Sequence, residues 1–404
     1  MRRDGTGERG LVPGGPRRRR AGAALGLLAL ALTLSMSTWF SASAVLPQLR
    51  EDWGLSTTAG SWLTISVQLG FVAGALLSSA LTLTDVLPPH RTILVGALGA
   101  ATANLLLLTV DGAAGAIPLR ALTGFFLAGV YPPAFKLMAT WFRRGRGTAL
   151  GVLAGAIAVG SSLPHLVNGI GGVGWRPVVV ATSALTALGG GLAALGVPEG
   201  PYPFPRGAFD PRQIGLVFRN RGVRLASLGY FGHMWELFAM WTWFLIFTRD
   251  ELLDGRAAAL ATFAVIAAGG VGCVLGGLAS DRWGRAESTL VALGVSGLCA
   301  LTIAFLPTPL ALAVGVLWGA SVIADSAQFS TLVTEHAEQA YVGTALTLQL
   351  ATGFALTTVT IWLVPTLVHA GGWPLAFAVL AAGPAFGAAA MLRLRTLGRA
   401  PAAA

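Results

Sequence analysis

Two long runs without a single charged residue, 257–279 and 288–306, are joined by only eight residues, Ser280-Asp281-Arg282-Trp283-Gly284-Arg285-Ala286-Glu287. About 20 apolar residues in a helix cross the ~30 Å hydrocarbon core of a bilayer. A joint this short cannot leave the membrane surface, so the two runs form a tight hairpin of membrane-spanning segments. In lipid every backbone N–H and C=O must be satisfied inside the structure, which leaves helices or a closed barrel.

The rest of the chain repeats the pattern. Apolar segments fall at 21–46, 57–83, 92–110, 114–142, 148–170, 177–197, 223–247, 257–279, 288–306, 309–333, 342–368 and 373–392. Only 11% of the residues are charged, against about 25% in soluble domains, so the bilayer must act as solvent. The expected fold is an all-α integral membrane protein with about twelve transmembrane helices. Residues 1–20 read as a disordered basic cytoplasmic tail. Residues 21–197 form an N-terminal bundle and 198–222 a Pro- and Arg-rich cytoplasmic linker. Residues 223–395 form a C-terminal bundle and 396–404 a second tail. A secretory signal with cleavage after Ala42-Ser43-Ala44 is the rival reading of the first segment, but 21–46 is too long for one.

The net charge of +10 is explained by its position. Arg17 to Arg20, Arg91, Arg143, Arg144, Arg146, Arg206, Arg212, Arg219, Arg221, Arg224, Arg282, Arg285, Arg393 and Arg395 share one side of the membrane. Only Arg50, Arg120, Arg176, Arg249 and Arg256 fall toward the other. The positive-inside rule puts both termini in the cytoplasm. Nucleic-acid binding is therefore not implied. Cys273 and Cys299 both lie inside apolar runs, which excludes a disulfide framework. No metal-spaced cluster, phosphate loop or nucleophile–base set is present, so neither a cofactor nor an enzymatic activity is expected.

The chain also repeats itself. Asp85 and Asp281, Gly147 and Gly343, and Trp39 and Trp235 are each 196 residues apart, and Gly174-Trp175 returns as Gly372-Trp373 at 198. Two pseudo-symmetric six-helix bundles follow. The joint Gly277-x-x-x-Asp281-Arg282-x-Gly284-Arg285 resembles the signature loop of the major facilitator superfamily of membrane transporters. Arg120-x-x-x-Gly124 resembles that family's embedded Arg motif of the fourth helix. The first-half copy of the loop keeps Asp85 but loses its basic, Gly-containing turn. The fifth-helix antiporter pattern is not kept either, since Gly155 to Gly160 lacks its Pro and one Gly. The resemblance implies alternating access, a monomer, and a gating role for Gly277, Asp281, Arg282, Gly284, Arg285 and Asp85.

Charge inside a bilayer is costly and marks cavities. Arg120, Glu236 and Asp325 lie in the fourth, seventh and tenth segments, whereas the cores of the third, sixth, ninth and twelfth carry none. That split agrees with the arrangement the resemblance implies, with helices one, four, seven and ten around a central cavity. An embedded carboxylate can hold and release a proton near neutral pH, so Glu236 and Asp325 are candidate coupling groups, and Arg120 is a candidate contact for an anionic substrate group or for a carboxylate across the cavity. His233 precedes Glu236 by three residues and is expected to pair with it. Trp39, Trp235 and Tyr131 are candidate stacking groups, and Gln68 and Gln349 weaker polar candidates. Trp241 and Trp243 read as interfacial belt residues. The expected function is secondary active transport of a small organic solute across the cell membrane, coupled to protons. The alternatives are a uniporter of the same fold or a transporter-like sensor that no longer transports.

Overall fold

The computed structural model describes residues 16–399, except 82, 84–86, 143–144, 172–173, 203–210 and 339–340. Asp85, the first fifteen residues, Arg143, Arg144 and part of the linker lie outside the described residues. Among those described, the regular structure is helical throughout. Ten stretches are long and apolar enough to cross a membrane.

The helices follow the apolar runs: α1 (Pro16–Ser35), α2 (Thr57–Ala80), α3 (Pro89–Leu105), α4 (Ala113–Leu127 and Tyr131–Ala139), α5 (Arg146–Gly171) and α6 (Trp175–Gly196). The second set is α7 (Arg221–Glu251), α8 (Gly255–Trp283), α9 (Arg285–Thr302) and α10 (Thr308–Ser321 and Ser326–His336). The last helical stretch, Val342–Arg399, has 58 residues, about 87 Å at 1.5 Å per residue. That is far too long for one crossing. Its backbone leaves helical geometry at Gly371 and Gly372, the latter at φ 74°, a conformation that glycine adopts without steric cost. It is therefore two helices, α11 (342–370) and α12 (373–399). His233, Glu236 and several Trp and Tyr residues keep α7 out of the ten most apolar stretches, although its 31 residues exceed a bilayer's needs.

Three expectations shift in detail. α1 begins at Pro16 and ends at Ser35; a 3-10 turn (Met36–Thr38) and a single turn of helix (Ser41–Ala44) complete the segment read as one span. The fourth and tenth segments are each two helices with a break at 128–130 and 322–325. Pro132 and Pro133 explain the first break, because proline cannot donate to the preceding turn.

The halves are built alike. α2 packs on α4, and α3 on α6, in the first half; α8 packs on α10, and α9 on α12, in the second. The Trp175 indole donates to Asp52 Oδ2 at 2.7 Å, and its repeat mate Trp373 donates to Asp250 Oδ2 at 3.3 Å. The halves meet along α5 against α8 and α2 against α11. Glycine permits the first of these. A Cβ at Gly151 would lie 2.8 Å from the Cys273 carbonyl oxygen, and one at Gly155 equally close to that of Gly270. Backbone-to-backbone approach of this kind replaces side-chain interdigitation and leaves smooth faces.

Candidate functional site

Gly284, at φ 100°, closes α8 and opens α9 in one residue. That turn brings the polar residues of the joint back over the bundle. Arg285 Nε donates to Glu335 Oε1 at 2.6 Å, and its Nη1 to Gln328 Oε1 at 3.1 Å. Gln328 Oε1 also accepts from Ser280 Oγ at 2.6 Å. These bonds tie α8, α9 and α10 together within the second half. Asp281 reaches the first half: its Oδ2 accepts from Thr148 Oγ1 at 2.9 Å. Thr148 sits in the first turn of α5, where the helix dipole favours an anion. A Cβ added at Gly277 would lie 3.5 Å from Thr148 Cα, an ordinary van der Waals contact, so the joint and the start of α5 are close neighbours. Arg282 is exposed.

Arg120 is fully buried in the first half. Its Nη1 donates to Thr38 O at 2.9 Å, Ser41 Oγ at 3.0 Å and Asn104 Oδ1 at 2.9 Å. Nε donates to Leu63 O at 3.3 Å, and Nη2 to Trp39 O. The acceptors at 38 and 39 belong to the segment where α1 loses its helical bonds. The guanidinium therefore supplies donors to a broken helix. Sequence reasoning missed Asn104, which orients this knot through bonds to Ser183 Oγ at 3.0 Å and Ser41 Oγ at 2.6 Å. A lone Asn inside an uncharged run was the available signal.

In the second half the expected Glu236–His233 pair is not made. Glu236 accepts from Ser296 Oγ at 2.7 Å and from Trp318 Nε1 at 2.8 Å. His233 instead faces Asp325, with Nδ1 2.9 Å from Oδ1 but poorly aligned for a hydrogen bond. Both side chains are buried, and neither has a hydrogen-bond partner among the described residues. The i to i+3 spacing allowed a local pair, but partners on α9 and α10 approach α7 more closely in the folded bundle. Asp325 ends up at the break in α10, as the N-terminal flank of Ser326–His336.

Between the halves lies an aromatic cluster. Trp39 contacts Phe238 and Phe354 across the interface, with ring centroids 5.8 and 5.7 Å apart, and Phe71 contacts Phe354 at 4.5 Å. Phe40 meets Trp241 at 5.8 Å. Tyr131 stacks on Phe71 at 5.9 Å. Trp241 and Trp243 are thus no belt residues; both are buried, and Trp243 donates to Ile361 O at 3.0 Å. Trp235, the repeat mate of Trp39, turns to α12 and donates to Val379 O at 2.9 Å. Gln68 and Gln349 are buried on α2 and α11. Both amide atoms of Gln68, and Nε2 of Gln349, lack a hydrogen-bond partner among the described residues.

Two cavities adjoin the cluster. A vestibule of about 360 Å³ opens at the end of the bundle that carries the joint, with Tyr131, Lys136, Gly147, Arg285, Thr331 and Leu346 among its walls. A second, of about 30 Å³, lies within the aromatic cluster. Tyr131 lines both. The larger space is walled by helices of both halves, so any change in their mutual tilt changes its size.

The sequence matches the Major Facilitator Superfamily over residues 28–360. It is 28% identical over 229 residues to the probable actinorhodin transporter of Streptomyces coelicolor, covering 55% of this chain and 39% of that one. It is 30% identical over 284 residues to the multidrug efflux pump LfrA of Mycolicibacterium smegmatis, covering 68% and 50%. It is 23% identical over 295 residues to the gallate transporter of Pseudomonas putida, covering 64% and 65%. The chain spans half or less of the length of the first two relatives. The chain belongs to the major facilitator superfamily and is a multi-pass membrane protein.

Proposed function

We propose that this chain, as a member of the major facilitator superfamily, is a secondary active transporter that moves a small organic solute by alternating access, coupled to protons. The observation that carries the reading is the 360 Å³ vestibule between the halves, open at the end with the Asp281 joint and closed beyond Tyr131 by aromatic rings from both halves. That is one accessible side and one sealed side. The glycine faces of α5 and α8 allow the halves to rock, because no side chains interlock there to be pulled apart. The excess of Arg at the joint end supports a cytoplasmic side for it and for both termini, in a cell membrane. The protein works as a monomer in this reading, since each chain holds both halves.

Coupling falls to Asp325 with His233 rather than to Glu236. Both carboxylate oxygens of Glu236 already accept hydrogen bonds inside the second half. Asp325 and His233 share one short contact, and neither has a hydrogen-bond partner among the described residues. A buried charge with a single partner is costly when that partner moves. Protonation of the pair is thereby linked to how α7 sits on α10. Purified protein in liposomes with a trapped pH-sensitive dye tests this. A solute flux that acidifies or alkalises the lumen in wild type, and loses that signal in Asp325→Asn, is the expected result. Flux indifferent to collapse of the pH gradient would end the coupling claim and leave a uniporter.

A further inference from the structure

The central 30 Å³ cavity holds a mismatch of hydrogen-bonding groups that bears on what it binds. Its walls carry no charged side chain. Trp39 and Trp241 both line it, both are buried to at least 98%, and neither indole N–H has an acceptor among the described residues. An indole N–H can only donate, and leaving it unmet when buried is unfavourable by the full cost of its desolvation. The ionic groups nearby lie outside its walls: Arg120 is held by the α1 break and Glu236 by Ser296 and Trp318, while Asp325 faces His233. The charged side chains in the walls of the adjoining vestibule are Lys136 and Arg285, both cationic.

We infer that the central site takes a planar, uncharged aromatic compound bearing a carbonyl oxygen, whose rings stack in the Trp39–Phe238–Phe354 cluster and whose oxygen accepts from the Trp39 and Trp241 N–H groups. The assignment rests on the transport reading only in calling this compound the substrate; the binding site stands without it. A cavity of this size has room for one or two waters, so the ligand occupies it by displacing Tyr131, the side chain shared with the vestibule. The aromatic walls alone would also attract an organic cation. The two donor-only indole N–H groups argue against one.

Equilibrium binding to purified protein in nanodiscs, with three radiolabelled probes, tests the inference. Fluorenone and fluorene share one ring body and differ by a carbonyl; tetraphenylphosphonium is an aromatic cation. The expected order is fluorenone at least about tenfold tighter than fluorene, the rough value of one hydrogen bond to an otherwise unmet donor. Trp39→Phe and Trp241→Phe, which keep a ring and remove the N–H, each weaken fluorenone several-fold and leave fluorene unchanged. Equal binding of fluorenone and fluorene, tighter binding of tetraphenylphosphonium, or no binding of any probe overturns it. The first comparison needs no variant, so a folding defect cannot hide the answer. Flux in liposomes is read in parallel. Proton-linked flux of another solute without fluorenone binding sinks this site and spares the transport reading. Selective fluorenone binding without flux of fluorenone or any other solute does the reverse.

Discussion

Arg120 shows how one residue determines whether a helix can be broken inside a membrane. The carbonyls of Thr38 and Trp39 have left the α1 ladder, and in hydrocarbon no water replaces it. The guanidinium does, and the Ser41 hydroxyl adds a second donor to Thr38 O. Arg120→Ala strands those acceptors, each at about 1–3 kcal/mol when buried; with partial relaxation, a loss of about 2–4 kcal/mol is expected, read as a fall in thermal unfolding temperature. Arg120→Lys recovers little, because an ammonium cannot span acceptors that lie in a planar fork. Glu236 gives the opposite expectation. A glutamine there still accepts from Trp318 and can donate to Ser296, so Glu236→Gln should leave unfolding temperature and any proton-linked flux within error of wild type. A Glu236→Gln variant that lost its proton signal would move coupling back to Glu236. The identities of these embedded residues were legible in the sequence, since charge in an apolar run stands out. Their partners were not. His233 and Asp325 are 92 positions apart, and helical spacing favours the neighbour at i+3 until tertiary packing supplies a closer one.

The helices themselves were legible because lipid admits so few alternatives: runs of uncharged residues become α-helices, and the breaks follow Pro, Gly and short polar joints. What spacing could not show is how completely α7 is surrounded. Trp241 and Trp243, two positions apart, point to different sides of a helix, yet both are buried. That requires protein on nearly every side of α7, which no single-helix pattern reveals. The α5–α8 contact is readable as glycine content but not as a partner. Gly155→Val pushes a branched side chain into the Gly270 backbone; overpacking of this sort costs about 1–3 kcal/mol. A lower unfolding temperature and a loss of flux are expected, whereas Gly26→Val, in open space, changes neither. At the opposite end of α7, Asp250 is exposed as a residue. Even so, partial burial of its carboxyl group holds it above the ordinary carboxylate value, against the pull of Trp373, Arg249 and Arg50. The folded state thus favours its neutral form. That contribution is complete below the ordinary Asp value of about 3.9 and is lost as pH rises through the higher folded value. Asp250→Asn keeps an acceptor for Trp373. Its unfolding temperature should match wild type in acid and exceed it near neutrality, by a small margin on the order of 1 °C for so exposed a group.

For the whole molecule the question is what holds the joint end of the two halves together. Among the described residues, Asp281 with Thr148, and Ser79 with Thr347 at 3.2 Å, make polar contacts across them there. Both are small. A hydrogen bond to an exposed carboxylate contributes up to about 1 kcal/mol, and 1.4 kcal/mol is tenfold in an equilibrium. Breaking the Asp281 contact should therefore bias the vestibule, already open at this end, toward a wider opening by about two- to fivefold, without locking either state. The Arg285 bonds to Glu335 and Gln328 stay within one half, so their loss acts on stability rather than on the bias. Reactivity of a cysteine at Leu346, in the vestibule wall, separates these cases. With a membrane-impermeant maleimide added from the joint side, Asp281→Ala and Thr148→Val should each raise the labelling rate two- to fivefold, and the pair together no more than either alone, because they remove one contact. Arg282→Ala, at an exposed position, should leave the rate unchanged. Additive effects of the two substitutions would mean that Asp281 acts on the field of the α5 helix end rather than through Thr148. No effect of either would leave the glycine faces, and not the joint, to set the balance between open and closed.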